Sequence, residues 1–197
     1  MARTPRWQGD VSAGADAWTR RASGSAGSPP PDPAEPPEAD QEAVARRILL
    51  DQLTGRARSR HELADKLRSR LVPDEIADRL LDRFEQVGLV DDEAFARAWV
   101  SDRHRIKGLA PRALAQELRR KGVDDETVRA AVDEVTDDDQ ESAARRLVRR
   151  KLRSLGGVDQ ATATRRLAGM LARKGYPPGL CFRVVKDELG ADLTQEF

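Results

Sequence analysis

Apolar residues recur at helical spacing from residue 41 onward, and proline marks the places where helices should begin. Pro73, Pro111 and the pair Pro177-Pro178 each follow a loop and precede an amphipathic run, and the first turn is the helical position that proline favours. No segment alternates polar and apolar residues for long enough to indicate a strand. The pattern therefore predicts an all-α fold.

Polar residues ahead of these runs predict how the helices start. The segment Ser59-Arg60-His61-Glu62 is typical of a capping box, in which the first and last side chains satisfy each other's backbone N–H groups. Asp91, Asp124 and Asp159 are expected to cap the runs that follow them. Acidic residues at helix starts also suit the helix dipole, so we expect the triplet at residues 137–139 to stabilise a helix rather than to bind a metal ion.

Internal repeats with a period of about fifty residues organise the chain. One leucine pair recurs twice: Leu63 and Leu67, Leu114 and Leu118, Leu167 and Leu171. A second motif, Arg120-Lys121-Gly122-Val123, recurs as Arg173-Lys174-Gly175-Tyr176. We interpret the chain as three tandem three-helix repeats, at residues 41–91, 92–139 and 140–197, stacked as an elongated array.

Residues 1–40 differ in composition from the repeats. They hold seven of the eleven prolines, together with several glycines and serines. Such a segment cannot bury enough apolar surface to offset its ordering entropy, so we predict a disordered tail. Trp7 and Trp18 within it are either incidental or part of a short docking element.

Charge is distributed unevenly, although the net charge of the chain is only +1. The tail carries −2, the first repeat 0, the second −3 and the third +6. The basic third repeat indicates a polyanionic partner.

Two basic surfaces are candidates for that contact. In the third repeat, arginines occupy one side of a predicted helix and apolar residues the other. Since no acidic residue lies between Glu141 and Asp159, we expect this arginine stripe to lack the i,i+4 ion-pair partners of a merely solvated helix. The second surface is a basic run in the middle repeat. The predicted binding residues are Arg97, Arg103, Arg105, Lys107, Arg119, Arg120, Lys121, Arg145, Arg146, Arg149, Arg150, Arg153, Arg173 and Lys174.

Several function classes are disfavoured. One cysteine and two histidines leave little for a disulfide framework or a metal site, and we expect Cys181 to be buried among apolar residues. Lys107-Gly108 and Lys121-Gly122 lack the preceding glycines of a phosphate loop. No apolar run is long enough for a membrane span, and no secretory signal is found. We therefore expect a cytoplasmic monomer that is not an enzyme and has no cofactor.

Specific motifs resemble the RecX family. They are the segment 87–99, which reads VGLVDDEAFARAW, then Arg105 with Lys107-Gly108, the run 117–123, and Arg58 to Leu63 with Lys66-Leu67 in the first repeat. The resemblance covers about residues 41–190. It implies a row of three-helix modules that binds the RecA recombinase filament on single-stranded DNA and restrains its ATPase, strand-exchange and coprotease activities.

Other functions stay open from the residues alone. A stand-alone DNA-binding array of helix-turn-helix type is the main alternative, although no helix has the exposed Gln, Asn and Ser side chains typical of base readout. A helical scaffold without nucleic acid is disfavoured by the charge of the third repeat. The basic residues are suited to phosphate contacts, which position a protein on nucleic acid but do not specify a sequence.

Overall fold

A computed structural model describes residues 38–195, and the side chains as far as residue 190. The predicted tail therefore lies outside the described residues, as do Trp7 and Trp18, apart from residues 38–40, which are helical. This part of the chain holds nine helices and no strand: α1 (Glu38–Gly55), α2 (Arg60–Arg68), α3 (Asp74–Gln86), α4 (Asp92–Lys107), α5 (Pro111–Arg120), α6 (Asp125–Asp133), α7 (Asp137–Leu152), α8 (Gln160–Arg173) and α9 (Pro178–Gln195).

The helices group in threes, and the predicted fold of three tandem three-helix repeats is confirmed. Helices α1–α3 pack together as module 1, α4–α6 as module 2 and α7–α9 as module 3. Each module has its own apolar core. The repeated leucine pair lies in these cores, and all six of its members are fully buried: Leu63, Leu67, Leu114, Leu118, Leu167 and Leu171. Burial of one such side chain contributes roughly 1.5–3 kcal/mol to the free energy of unfolding. The repeated leucine pair therefore stabilises the core of each module.

The predicted helix caps are confirmed. The Ser59 hydroxyl accepts the Glu62 N–H at 3.2 Å, and the Glu62 carboxylate accepts the Ser59 N–H at 3.4 Å. Asp91, Asp124 and Asp159 each accept a backbone N–H from the first turn that follows. Backbone hydrogen bonds to these carboxylates hold the pKa values of Asp124 and Asp159 below their ordinary range.

Two predicted boundaries fall inside helices. The border at residues 40 and 41 lies within α1, and the border at 139 and 140 lies within the first turn of α7. The second displacement has a clear cause, because Thr136 caps α7 in a capping box with Asp139. The acidic triplet at residues 137–139 thus begins this helix, as expected.

Candidate nucleic-acid interface

The first joint, between modules 1 and 2, brings the start of α2 against the loop that follows α5. The Ser59 hydroxyl donates to the Lys121 carbonyl at 2.6 Å, and the Arg60 backbone N–H donates to the Asp92 carboxylate at 2.8 Å. Gly122 has a φ of +73° and lies so close to His61 that an added Cβ would overlap the imidazole. Glycine at position 122 is therefore required by the contact between modules.

The cation at the first joint is neutralised within the protein. The Lys121 ammonium lies 2.7 Å from the Glu62 carboxylate and 4.2 Å from the centre of the Trp99 ring. Both charged side chains are mostly buried, with 16% of Lys121 and 22% of Glu62 exposed. Although burial opposes it, the hydrogen bond and charge of Lys121 hold the pKa of Glu62 below its ordinary value. Lys121, a predicted binding residue, thus already has internal partners.

The second joint, between modules 2 and 3, repeats this arrangement one module further along. The Ala110 backbone N–H donates to the Lys174 carbonyl at 2.9 Å, and the Tyr176 hydroxyl donates to the Gly108 carbonyl at 3.2 Å. Gly175 has a φ of +90°, and an added Cβ would lie 2.7 Å from the Ala113 backbone nitrogen. Backbone therefore meets backbone at this joint.

The two joints differ at one corresponding position. Lys121 and Lys174 both present their carbonyls to an N-cap residue, Ser59 in the first joint and Ala110 in the second. The third residue after the cap is Glu62 at the first joint and Ala113 at the second. The second joint consequently lacks the carboxylate that neutralises the lysine of the first.

Lys174 instead lies among other cations. Its ammonium donates to the Lys107 carbonyl at 2.6 Å, at the end of α4. Burial, together with the nearby charges of Arg150 and Lys107, lowers the pKa of Lys174. We call Lys107, Arg150 and Lys174 the joint cluster. None of the three forms an ion pair within the part of the chain that the structure describes.

Most of the other predicted cations of module 2 have acidic neighbours. Exposed ion pairs join Arg97 to Glu93, Arg105 to Asp102 and Arg119 to Asp125. The Arg103 guanidinium lies 4.1 Å from the centre of the Trp99 ring and 3.7 Å from Glu117. Arg120 is exposed and forms no ion pair with a described residue.

The arginine stripe on α7 divides into two sets. The expectation that it lacks i,i+4 partners is wrong for Arg145, and Arg149 has a partner on another helix. Arg145 contacts Glu141, Asp187 and Glu188, and Arg149 contacts Glu188 at 2.6 Å. Asp187 and Glu188 lie on α9, some forty positions away in sequence. Glu141 lies on α7 itself, one helical turn before Arg145.

The remaining arginines of the stripe are free of such partners. Arg146, Arg150 and Arg153 are exposed and make no ion pair among the described residues, and the same holds for Arg173 at the end of α8. The spacing of Arg146, Arg150 and Arg153 keeps them on one side of α7, with about 6 Å of helix between the first two. This row runs into the joint cluster through Arg150.

Glu188 is the residue of this site that the sequence analysis missed. Only 6% of it is exposed, and hydrogen bonds from Arg149 and Arg145, against the effect of burial, lower its pKa. Its sequence neighbours Val184, Val185 and Leu189 are buried apolar residues. No signal in the sequence reveals this pairing, because charged residues are rarely buried and the burial of Glu188 is visible only in the fold.

Other kinds of site find no support in residues 38–190. No group of three side chains there has the composition and placement of a metal site. Cys181 is buried as expected, and burial raises the pKa of its thiol. His104 is half-buried, and its Nδ1 lies 2.9 Å from the Leu109 carbonyl oxygen. None of the described helices is both long and apolar enough to cross a membrane.

Family models match all three modules. Residues 45–84, 91–132 and 137–185 match the first, second and third three-helix domains of RecX, respectively.

This chain is also similar to individual RecX proteins. The chain is 52% identical to the regulatory protein RecX of Thermobifida fusca over 163 residues, which cover 83% of this chain and 88% of that protein. It is 43% identical to the regulatory protein RecX of Mycolicibacterium smegmatis, covering 80% and 90%. The crystal structure of RecX from Lactobacillus salivarius shares the fold, with a TM-score of 0.70, 20% identity, and coverage of 76% and 97%.

Proposed function

The chain belongs to the RecX family of regulatory proteins, and on that premise we propose that it binds the RecA filament on single-stranded DNA and restrains RecA. The activities restrained are ATP hydrolysis, strand exchange and coprotease function. The protein acts by occupying the filament rather than by chemistry of its own.

The observation that supports nucleic-acid contact is a row of cations that form no ion pair with any described residue. The joint cluster and the row Arg146, Arg150 and Arg153 on α7 together present cations from two modules. Cations in such a row replace the counterions of a phosphate backbone, which gives affinity that does not depend on base sequence. A protein that must act anywhere along a filament needs this kind of binding.

The paired arginines of module 2 suit the protein side of the same interface. Arg97, Arg105 and Arg119 lie in exposed ion pairs. Pairs of this kind contribute about 0–1 kcal/mol, so these side chains can exchange their carboxylates for those of a partner at little cost. We assign them to contacts with RecA, and the cations without partners to DNA phosphate.

RecA ATP hydrolysis on single-stranded DNA tests this proposal directly. Titration of the protein onto preformed filaments, with RecA saturating the DNA, should lower the rate as the protein approaches stoichiometric amounts with RecA. Saturation matters because free strand would itself bind the protein through its cations and keep it away from the filament. An unchanged rate would overturn the proposal, and DNA binding without inhibition would favour the stand-alone DNA-binding array.

A further inference from the structure

We propose that the second joint is a phosphate-binding clamp: the backbone of a DNA strand binds Lys107, Arg150 and Lys174 and thereby holds modules 2 and 3 together. This inference deepens the proposed function by locating the contact with DNA. It is tested without RecA, so the two can fail separately.

The joint cluster is assembled from both sides of the joint. Lys107 is the last residue of α4 in module 2, whereas Arg150 and Lys174 belong to module 3. The Lys174 ammonium is fixed against the Lys107 carbonyl, and Gly108 packs so closely on Leu147 of α7 that an added Cβ would lie 2.9 Å from it. A ligand that contacts all three cations must therefore touch two modules.

The cluster has unused capacity for an anion. An ammonium carries three donors, and among the described residues the Lys174 ammonium donates one hydrogen bond, to the Lys107 carbonyl. Arg150 and Lys107 are exposed, and no carboxylate in the described residues pairs with them. Three neighbouring like charges repel one another, and an anion placed between them removes that repulsion.

A phosphate backbone fits this surface better than an acidic peptide does. Arg146 and Arg153 continue the line of charge from Arg150 along α7, which matches a ligand with charges at regular intervals. Among the described side chains of module 3, the exposed large apolar one is Phe182, which lies on α9 and not on α7. A peptide would thus find charge on α7 without the apolar anchor that such interfaces usually supply.

Neutralisation of the joint cluster by a bound anion should stabilise the second joint. In the free protein the second joint is held by backbone hydrogen bonds and opposed by the repulsion within the cluster. Anything that binds the closed joint and not the open one stabilises the closed joint. The first joint, with Lys121 already neutralised by Glu62, has no such dependence on an anion.

Hydrogen exchange can follow the two joints in one experiment on the full chain. The Ala110 N–H bonds across the second joint to Lys174, and the Arg60 N–H bonds across the first joint to Asp92. Addition of an oligothymidylate should slow exchange at Ala110 several-fold and leave Arg60 unchanged. Oligonucleotide binding without any slowing at Ala110 would overturn the clamp.

Charge variants test the residues. Lys107→Gln with Arg150→Gln should weaken oligothymidylate binding roughly tenfold near 0.1 M salt, and should flatten the salt dependence by about 1.4, at about 0.7 for each lost phosphate contact. The unfolding midpoint without DNA should hold or rise, because like charges are removed. Arg47→Gln with Arg70→Gln is the matched control, since these exposed module 1 arginines change the net charge equally. Equal effects of the two double variants would overturn the assignment.

The identity of the ligand is tested by a comparison of probes. Oligothymidylate should protect Ala110, while a glutamate oligomer of equal charge should not. Equal protection by both would transfer the site to an acidic protein segment and overturn the assignment to DNA. If Ala110 is protected by DNA while RecA hydrolysis is unaffected by the protein, the clamp stands and the proposed function fails.

Discussion

The two joints of this protein set the same Lys-Gly pair against the start of a helix in the preceding module, and they treat the charge of the lysine oppositely. At the first joint Glu62 and Trp99 surround the Lys121 ammonium. At the second joint Ala113 takes the position of the glutamate, and Lys174 lies beside Arg150 and Lys107.

This difference separates what stacking requires from what binding requires. Both joints have a glycine at positive φ and a lysine carbonyl that is hydrogen-bonded to an N-cap residue. The glycine is needed because the modules approach closely only where the backbone carries no side chain. The counter-ion is not needed for stacking. The second joint lacks it, which leaves charge available to a ligand.

Replacement of the joint glycines should produce the largest effects. Gly175→Ala forces a Cβ towards the Ala113 backbone, which cannot move aside, and we expect a loss of roughly 3 kcal/mol or more in the free energy of unfolding. Gly122→Ala should cost a similar amount, since the added Cβ would overlap the His61 Cβ, which rotation of the side chain cannot move. Urea titration followed by circular dichroism measures both.

Gly88→Ala supplies the control for these glycines. Gly88 has a φ of +72°, close to that of Gly122, and no atom lies within 4 Å of an added Cβ. Its replacement therefore measures left-handed strain alone, about 1–2 kcal/mol. If Gly175→Ala lowers the free energy of unfolding by no more than Gly88→Ala does, then glycine is not required at the second joint for close approach of the two modules.

The counter-ion at the first joint should have the next largest effect. Glu62→Gln keeps the shape and the capping geometry but removes the charge that Lys121 faces, and we expect a loss of about 1–2 kcal/mol. Because folding lowers the pKa of Glu62, its contribution is complete above its ordinary pKa of 4.5 and is lost as the pH falls through the folded value.

Unfolding measured between pH 3 and 7 tests the ion pair itself. The difference between wild type and Glu62→Gln should shrink as the pH falls below about 4.5, since the wild-type carboxylate is then protonated. A difference that is constant with pH would mean that Glu62 acts through its shape and not its charge.

The sequence predicts the frame of this molecule well and its electrostatics poorly. Helix starts are local, so Ser59, Asp91, Asp124 and Asp159 could be assigned from a few neighbouring residues. The repeated leucines are also local in effect, because each module buries its own set.

Ion pairs across modules and helices have no such signal in one sequence. Lys121 and Glu62 are 59 positions apart, and Arg149 and Glu188 are 39 apart. Nothing in the spacing of either pair predicts the contact. Lys121 and Lys174 occupy the same position of a repeated motif, so the sequence alone does not distinguish them. Only the fold distinguishes the neutralised lysine from the one surrounded by cations.

The tyrosine hydroxyl at the second joint should have a smaller effect at neutral pH. Tyr176→Phe removes the hydrogen bond to the Gly108 carbonyl, and we expect a loss of about 1 kcal/mol. Burial raises the pKa of Tyr176 to about 12, so the folded protein keeps a proton that the unfolded chain releases near its ordinary value of 10.0. Wild-type stability should therefore fall as the pH rises from 10 towards 12.

The Phe variant isolates this alkaline effect. Other groups, such as the Cys181 thiol, titrate in both proteins and cancel in the difference. The advantage of wild type over Tyr176→Phe should narrow above pH 10. If the difference in the free energy of unfolding between the two proteins stays constant up to pH 11, the hydroxyl ionises as readily in the folded protein as in the unfolded chain. It is then not held in a buried contact at the second joint.

The smallest effect on stability is expected from the arginines that have no partners. Arg146→Gln with Arg153→Gln should change the free energy of unfolding by less than about 0.5 kcal/mol, because both side chains are exposed and glutamine is a good helix former. DNA binding should still change: the dependence of log K on log salt should flatten by about 1.4 for a single strand, at about 0.7 per contact. Arg149→Gln is the contrast, since Glu188 already neutralises that charge. If Arg149→Gln flattens the slope by about 0.7, as the loss of one phosphate contact would, then Glu188 gives up its arginine when DNA binds, and the division of α7 into paired and free arginines does not hold in the complex.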